Sequence, residues 1–371
     1  MRVALISTCA VSVPPRAYGG TELIISELAQ GLTQLGHEVT TFATGDSCPA
    51  GRLQWHFERP VWPPYETAEL RHAAKAWQTI TANAGAFDIV HAHQAPSIPL
   101  ASLTRAVPTV YTLHHHRDER LIALYRDFPT ISYVAISARQ AELTPEVPVD
   151  AVIHHGLDAK RYGSAGLGDG GYVAFLGRLA PEKAPHLAID AARQANVLLR
   201  MGGGVHPPDR DYFAADVEPR LSDGQGGVEW MGELSHEPKV SLLRGARALL
   251  FPIEWEEPFG LVMVESMLVG TPVIAFAHGS APEVIEEGVT GYIVQDVAAM
   301  ADRIRQLDGF DRVRCRQRAI ERWTSLRMSR EYEALYERLQ ERSGRGWLRA
   351  ELQGLSRISD GRPPKSVAQP G

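Results

Sequence analysis

The chain has 371 residues, with 44 acidic against 38 basic side chains for a net charge of −6, and cysteine only at positions 9, 48 and 315. The negative balance argues against a general nucleic-acid or anionic-membrane binder, which usually carries a basic excess, while leaving room for a local basic patch, and three scattered cysteines make neither a disulfide framework nor a metal signature, which fits a reducing cytoplasm. No apolar run reaches the roughly 18 residues of a membrane-spanning helix, and the length suits about two domains, each large enough to bury its own core.

Residues 3–8 form an apolar run of the kind found in buried parallel strands. Only Arg2 supplies a basic start and no small-residue cleavage site follows, so the run reads as a first strand and not as a signal peptide. Residues 13–20, with Pro14, Pro15, Gly19 and Gly20, can only be a loop. Thr21 is placed as the N-cap of a helix whose apolar Ile24, Ile25, Leu28, Leu32 and Leu35 recur at three- and four-residue steps up to Gly36. Gly19 and Gly20 then offer bare backbone N–H groups at a helix start, a ready phosphate site; alternatively they simply make the turn.

Residues 39–43 read as the second strand. The segment 48–67, rich in Pro and in aromatics (Trp55, Phe57, Trp62, Tyr65), reads as an irregular excursion that either lines a substrate pocket or packs as a surface loop. In the strand 88–93, His91 and His93 share a face by period two. Without Cys or carboxylate neighbours they are read as core or substrate-side polar groups in preference to metal ligands. Strand 109–114 ends in His114-His115-His116, and the carboxyl end of a parallel strand is where α/β enzymes place working groups. A metal cluster competes with that reading, although adjacent residues of an extended chain point apart. Strands 131–137 and 149–155, with a short helix between, close the first half. Residues 162–171, holding Gly163, Gly166, Gly168, Gly170 and Gly171, are the linker.

The second half repeats this pattern. Strand 172–176 is followed by Gly177-Arg178-Leu179-Ala180-Pro181-Glu182-Lys183 and a helix whose apolar face includes Leu187, Ile189 and Ala192. Two cations five apart at the carboxyl end of a strand suit a diphosphate, Arg178 as a fork and Lys183 as a point charge. Lysine occurs only at positions 75, 160, 183, 239 and 365, which sharpens the placement of Lys183. Strand 197–203 ends in glycines that permit close approach of a ligand. Asp209-Arg210-Asp211 has the D-x-D pattern of metal-dependent sugar transfer, but it follows Pro207-Pro208 at a helix start, where acidic residues complement the dipole, and is read as no metal site. A short strand 228–231 leads into Gly232-Glu233-Leu234, then helix 237–247 and strand 248–253.

Residues 259–270 are apolar on every side except at Glu265 and Ser266, so a helix there is buried all round. An unpaired buried carboxylate costs several kcal/mol. Glu265 therefore needs a partner, either an Arg of the chain, with Arg178 the candidate, or the hydroxyls of a ligand. Glu257 precedes it by eight residues in a strand-to-helix loop, where α/β sheets hold ligands. Strands 273–277 and 292–294 with helix 282–287 between them finish the second sheet. Residues 311–342 read as two helices broken near 324–325, and from 343 on apolar periodicity fades, leaving an expected mobile tail with a short helix near 347–355.

Glu257 and Glu265 around Pro258-Phe259-Gly260, continued through EPFGLVMVE to GTPVIA, resemble the E-x7-E motif of the retaining family 4 glycosyltransferases. Arg178 to Lys183 is similar to that family's G-R-x4-K, with Ala184 standing where Gly is usual. The resemblance covers residues 2–342 in order and is strongest in the second half. It implies an α/β chain of GT-B fold, two facing Rossmann-like doubly wound domains with parallel sheets and a cleft between them. Residues 1–161 would be the acceptor-side domain, 162–171 the linker, 172–325 the nucleotide-sugar domain, 326–342 a helix crossing back to the first domain and 343–371 the tail.

The implied enzyme is a hexosyltransferase, retaining at the anomeric carbon, with no metal and no other cofactor. Its catalytic set would be His114, Arg178, Lys183 and Glu257. By resemblance, Glu257 contacts the donor sugar, the backbone from Phe259 and Gly260 to Leu261 faces sugar and phosphates, and Glu265 holds the ribose. Gly19 and Gly20 close on the diphosphate from the opposite domain, Arg178 and Lys183 stabilise the leaving nucleotide, Gly232 and Leu234 hold the base by backbone contacts, and His114 stands beside the reacting sugar. Glu283 lies in a segment similar to one that supports the donor site. The expected donor is UDP-glucose, with GDP-mannose next. The acceptor, whether small molecule, saccharide or lipid, stays open, as does attachment to the inner face of a membrane, for which no basic amphipathic stripe speaks. The rivals are another GT-B enzyme, a phosphorylase or nucleotide-sugar epimerase, and a catalytically silent sugar-nucleotide-binding scaffold. A nicotinamide dehydrogenase is disfavoured because no G-x-G-x-x-G follows a strand.

Overall fold

The computed structural model describes residues 1–83, 85–104, 107–222 and 227–359. Two all-parallel sheets form, because in each half short apolar runs alternate with helical segments and every return must cross over a face of the sheet. The first sheet contains β1 (Arg2–Ile6), β2 (Glu38–Ala43), β3 (Arg52–Trp55), β4 (Ile89–Ala92), β5 (Thr109–Thr112), β6 (Ser132–Ala135) and β7 (Val149–Val152), in the order β3-β2-β1-β4-β5-β6-β7. The second contains β8 (Tyr172–Leu176), β9 (Leu198–Gly202), β10 (Val228–Trp230), β11 (Leu249–Phe251), β12 (Val273–Phe276) and β13 (Gly291–Val294), in the order β10-β9-β8-β11-β12-β13. Strand order reverses between β1 and β4 in one sheet and between β8 and β11 in the other. Those switch points open crevices beyond the carboxyl ends of the strands, and the two crevices face each other.

Central strands are buried on both faces and so lack alternation: Val3, Ala4, Leu5 and Ile6 of β1 are all 0% exposed. β3 is the counterexample. It adds an edge strand inside the segment read as irregular, and of its four side chains only Leu53 is half-buried, so no hydrophobic pattern marks it. The first helix starts at Gly20 and not after Thr21; its N-cap is Gly19, at φ +149°, and no side chain caps it.

The last helix, Ser325–Ser359, packs along helix Gly20–Gln34 of the first domain. Gly31 allows the approach, since a Cβ there would sit 2.1 Å from Ser329 Oγ. This helix continues past residue 342, where the sequence reading expected order to fade, and absorbs the separate helix expected at 347–355. Residues 360–371 of the expected tail lie outside the described residues. Among those described, no helix is long and apolar enough to cross a membrane.

Candidate active site

The second-domain wall grows from the loops after β8 and β11. Gly203, just after β9, lets its loop pack against the loop after β8, because a Cβ at that position would fall 1.8 Å from the Gly177 carbonyl oxygen. Gly260 turns the chain at φ +74° into helix Leu261–Leu268, and no side chain caps that helix, so its first N–H groups face the cleft. Helix Gly20–Gln34 points its own uncapped start at the same place: a Cβ on Gly20 would lie 3.5 Å from Leu261 Cδ1. Two converging helix N-termini with free N–H groups suit an anion.

Glu257 is held through one oxygen. Trp255 Nε1–H donates to its Oε2 at 2.9 Å and the Lys183 ammonium donates to the same atom, while Lys183 also lies 4.6 Å from the centre of the Trp255 ring. Glu265 is held in the same manner. The Tyr162 hydroxyl donates to its Oε1 at 3.0 Å and the Lys239 ammonium donates to that oxygen too. Among the described residues nothing bonds to Glu257 Oε1 or Glu265 Oε2, so each carboxylate presents one free oxygen. Glu265 is only 4% exposed, and its need for a partner is met inside the chain by Lys239 and Tyr162 and not by Arg178. Burial and then the Glu265 charge push the Tyr162 phenol well above its ordinary value.

Arg178 pairs instead with Glu182 and stands 3.5 Å from Asp209. Burial raises the Asp209 carboxyl, and Arg178 partly offsets the rise. Arg178 Nε is buried without a hydrogen-bond partner among the described residues, a donor still to be satisfied. Asp209 of the D-x-D segment is thus a counter-charge to Arg178.

The first-domain wall is made of rings. His114, half-buried, makes a 2.9 Å Nε2 to Nδ1 contact with His93 and stacks on His155 with centroids 5.4 Å apart. Burial pushes His93 and His114 well below the ordinary imidazole range and His155 down to about 3, so these rings are neutral. Among the described residues no group of three or more His, Cys, Asp or Glu side chains could hold a metal ion. His116 meets Trp255 across the cleft at 5.1 Å, and Tyr18 and Trp62 lean on His206 at 5.1 and 5.5 Å.

Between the walls lie two adjoining cavities, both open to solvent. The first is lined by Gly19, Leu234, Lys239 and Glu265, the second by His114, Lys183, Glu257, Phe259 and Gly260; Gly20, Arg178 and Leu261 border both. Of the residues given catalytic or donor-binding roles by the resemblance, only Gly232 stands back from both cavities, its carbonyl accepting from Gly203 N–H at 2.7 Å. Glu283 sits at the seam between domains, where its carboxylate accepts from the Ala138 and Arg139 N–H groups (2.9 and 3.3 Å) and meets His154; beside it Arg139 pairs with Glu256 at 2.9 Å. Sequence reasoning missed Lys239, Tyr162 and the bond from Trp255. The scarcity of lysine was the one available signal, since two of the five positions carrying it hold the two motif glutamates.

Residues 164–322 match the family model for glycosyl transferases group 1, and residues 18–161 that for glycosyltransferase family 4. The D-inositol 3-phosphate glycosyltransferases of Mycobacterium bovis and Mycobacterium tuberculosis are 31% identical over 263 residues, which is 60% of this chain and 54% of theirs. The chain spans about half the length of the curated relatives it matches. Among solved structures, AviGT4, a glycosyltransferase involved in avilamycin A biosynthesis, superposes with TM-score 0.73 at 25% identity over 92% of this chain and 98% of that one. Sucrose-phosphate synthase from Thermosynechococcus elongatus gives 0.75 at 19% identity (91% and 99% covered), and Anabaena HepE in complex with UDP and glucose gives 0.72 at 18% (91% and 99%).

Proposed function

Since the chain belongs to the group 1, family 4 glycosyltransferases and has their GT-B fold, we propose that it is a hexosyltransferase. It moves a hexose from a nucleotide diphosphate sugar to an acceptor seated against the first-domain wall, with retention at the anomeric carbon and without a metal. The observation that carries this reading is the paired hold on Glu257 and Glu265. Each glutamate is fixed by a lysine and an aromatic N–H or O–H on one oxygen and offers the other to the cleft. A free carboxylate oxygen accepts sugar hydroxyls, so Glu265 suits the ribose and Glu257 the transferred hexose.

Between them, Arg178, Lys183 and the two helix N-termini supply positive potential for the diphosphate. Charge grows on the leaving phosphate oxygen as the anomeric C–O bond breaks, and fixed cations stabilise it without reorganising. In a same-face displacement the acceptor oxygen forms the new bond on the face the nucleotide leaves, and its proton passes to the departing phosphate oxygen. The Lys183 ammonium, held by Glu257, is one of these fixed cations. UDP-glucose is the donor to test first and GDP-mannose second. The test is proton NMR of the product formed in EDTA from an acceptor panel of sugars, polyols and lipid extracts. An α-linked product from UDP-α-glucose is expected; a β-linked product, or turnover only with added divalent metal, overturns the mechanism.

A further inference from the structure

We propose that His93 is a positioning residue that fixes the tautomer of His114, so that His114 presents an Nδ1–H donor to the cleft. The inference rests on the reading of the cleft given above. His93 follows β4 and His114 follows β5, adjacent strands of one sheet, and their rings meet through His93 Nδ1 and His114 Nε2 at 2.9 Å. One of these nitrogens carries the proton and the other accepts it.

The other end of His93 decides which. His93 is 2% exposed, and its Nε2 is buried with no hydrogen-bond partner among the described residues. If His93 accepted from His114, its own proton would lie on Nε2 as an orphaned buried N–H, the rarest kind of unpaired group. If His93 donates through Nδ1–H, only a lone pair is left unpaired. A doubly protonated His93 would be a buried charge with no carboxylate beside it. The donating neutral form therefore costs least, so His114 Nε2 accepts and its proton resides on Nδ1.

The arrangement is braced from behind. His91 lies against His93 at a centroid distance of 4.2 Å, and both its nitrogens are engaged, Nδ1 with the Tyr336 hydroxyl and Nε2 with Thr112 Oγ1, each at 2.7 Å. Thr112 meets the Tyr332 hydroxyl at 2.7 Å. The helix Ser325–Ser359 thus holds the ring of His91 in place, and His91 in turn backs the ring of His93.

Two measurements test this. Nitrogen-15 NMR of imidazole-labelled wild type, with the His114 signals assigned by their loss in His114→Gln, should show a protonated Nδ1 and an unprotonated Nε2. Protonated Nε2 overturns the inference. The second measurement compares His93→Leu, which removes the donor, with His93→Asn, whose amide nitrogen takes the place of Nδ1. With UDP-glucose, kcat should fall about tenfold in His93→Leu with KM changed less than twofold, and recover in His93→Asn. Loss of kcat in both variants, or none in His93→Leu, overturns it. The NMR experiment needs no substrate, so a chain with the expected tautomer but no turnover would refute the proposed function and leave this inference standing.

Discussion

The two walls of the cleft are made of different materials. On the second-domain wall Arg178, Lys183 and Lys239 each have a carboxylate counter-charge, Glu182, Glu257 and Glu265. On the first-domain wall His93, His114 and His155 are neutral, and Tyr18 and Trp62 stand about half exposed at the mouth. A wall of paired, partly buried charges is costly to build and rigid once built, which suits one fixed anionic partner. A wall of neutral rings imposes shape and hydrogen-bond direction with little charge selection. The contrast suits the proposed roles, a nucleotide diphosphate sugar on the charged wall and an acceptor on the neutral one.

The largest effect expected from breaking this contrast lies at Glu265. Lys239→Met leaves that carboxylate buried with only Tyr162, and urea denaturation should show a loss of about 3–5 kcal/mol. The double variant Lys239→Met with Glu265→Met should recover most of it; a single variant as stable as wild type would mean the pair is not buried in solution.

The neutral wall should fail with acid instead. Burial pushes His155 down to about 3 and His72, beneath the same sheet, down to about 4. The unfolded chain takes up these protons as pH falls through about 6.5, whereas the native state does not, so stability is complete above that pH and declines below it. By pH 4 each histidine should cost on the order of 3 kcal/mol. Denaturation at pH 7 and pH 4 should show His72→Phe losing less on acidification than wild type by about that amount; equal losses would contradict neutral burial.

Smaller effects belong to turnover. Arg178→Ala should lower kcat by about 10² or more, because it removes charge matched to the leaving diphosphate. Trp255→Phe keeps the ring beneath Lys183 and deletes only the N–H bond to Glu257. It should lower kcat about tenfold, the worth of one bond to a charged acceptor, and an unchanged kcat would mean that Lys183 alone orients the carboxylate.

Much of the second-domain wall was legible in the sequence, because Arg178, Lys183, Glu257 and Glu265 are polar groups at strand ends or in an apolar helix, places where each needs a partner or a ligand. Strands β1 and β8 were equally plain, being short and, after Arg2, made of apolar and aromatic residues. What stayed hidden depended on distant packing. Lys239 reaches Glu265 from a neighbouring helix, and no spacing within one helix reports such a contact. Tyr162 read as the edge of a polar linker, yet it is 1% exposed. The shared face of His91 and His93 followed from period two, but Tyr332 and Tyr336, which brace that face, lie more than 200 residues on. β3 escaped because an exposed edge strand needs no apolar alternation.

Titration calorimetry of UDP, GDP and ADP with their glucose and mannose conjugates, in EDTA, tests most directly whether the paired-charge wall is a donor site. One nucleotide series should bind wild type without metal, bind much more weakly to Arg178→Ala, and weaken in Glu265→Ala. Absence of binding by every series, or binding that appears only when a divalent metal replaces EDTA, would contradict it.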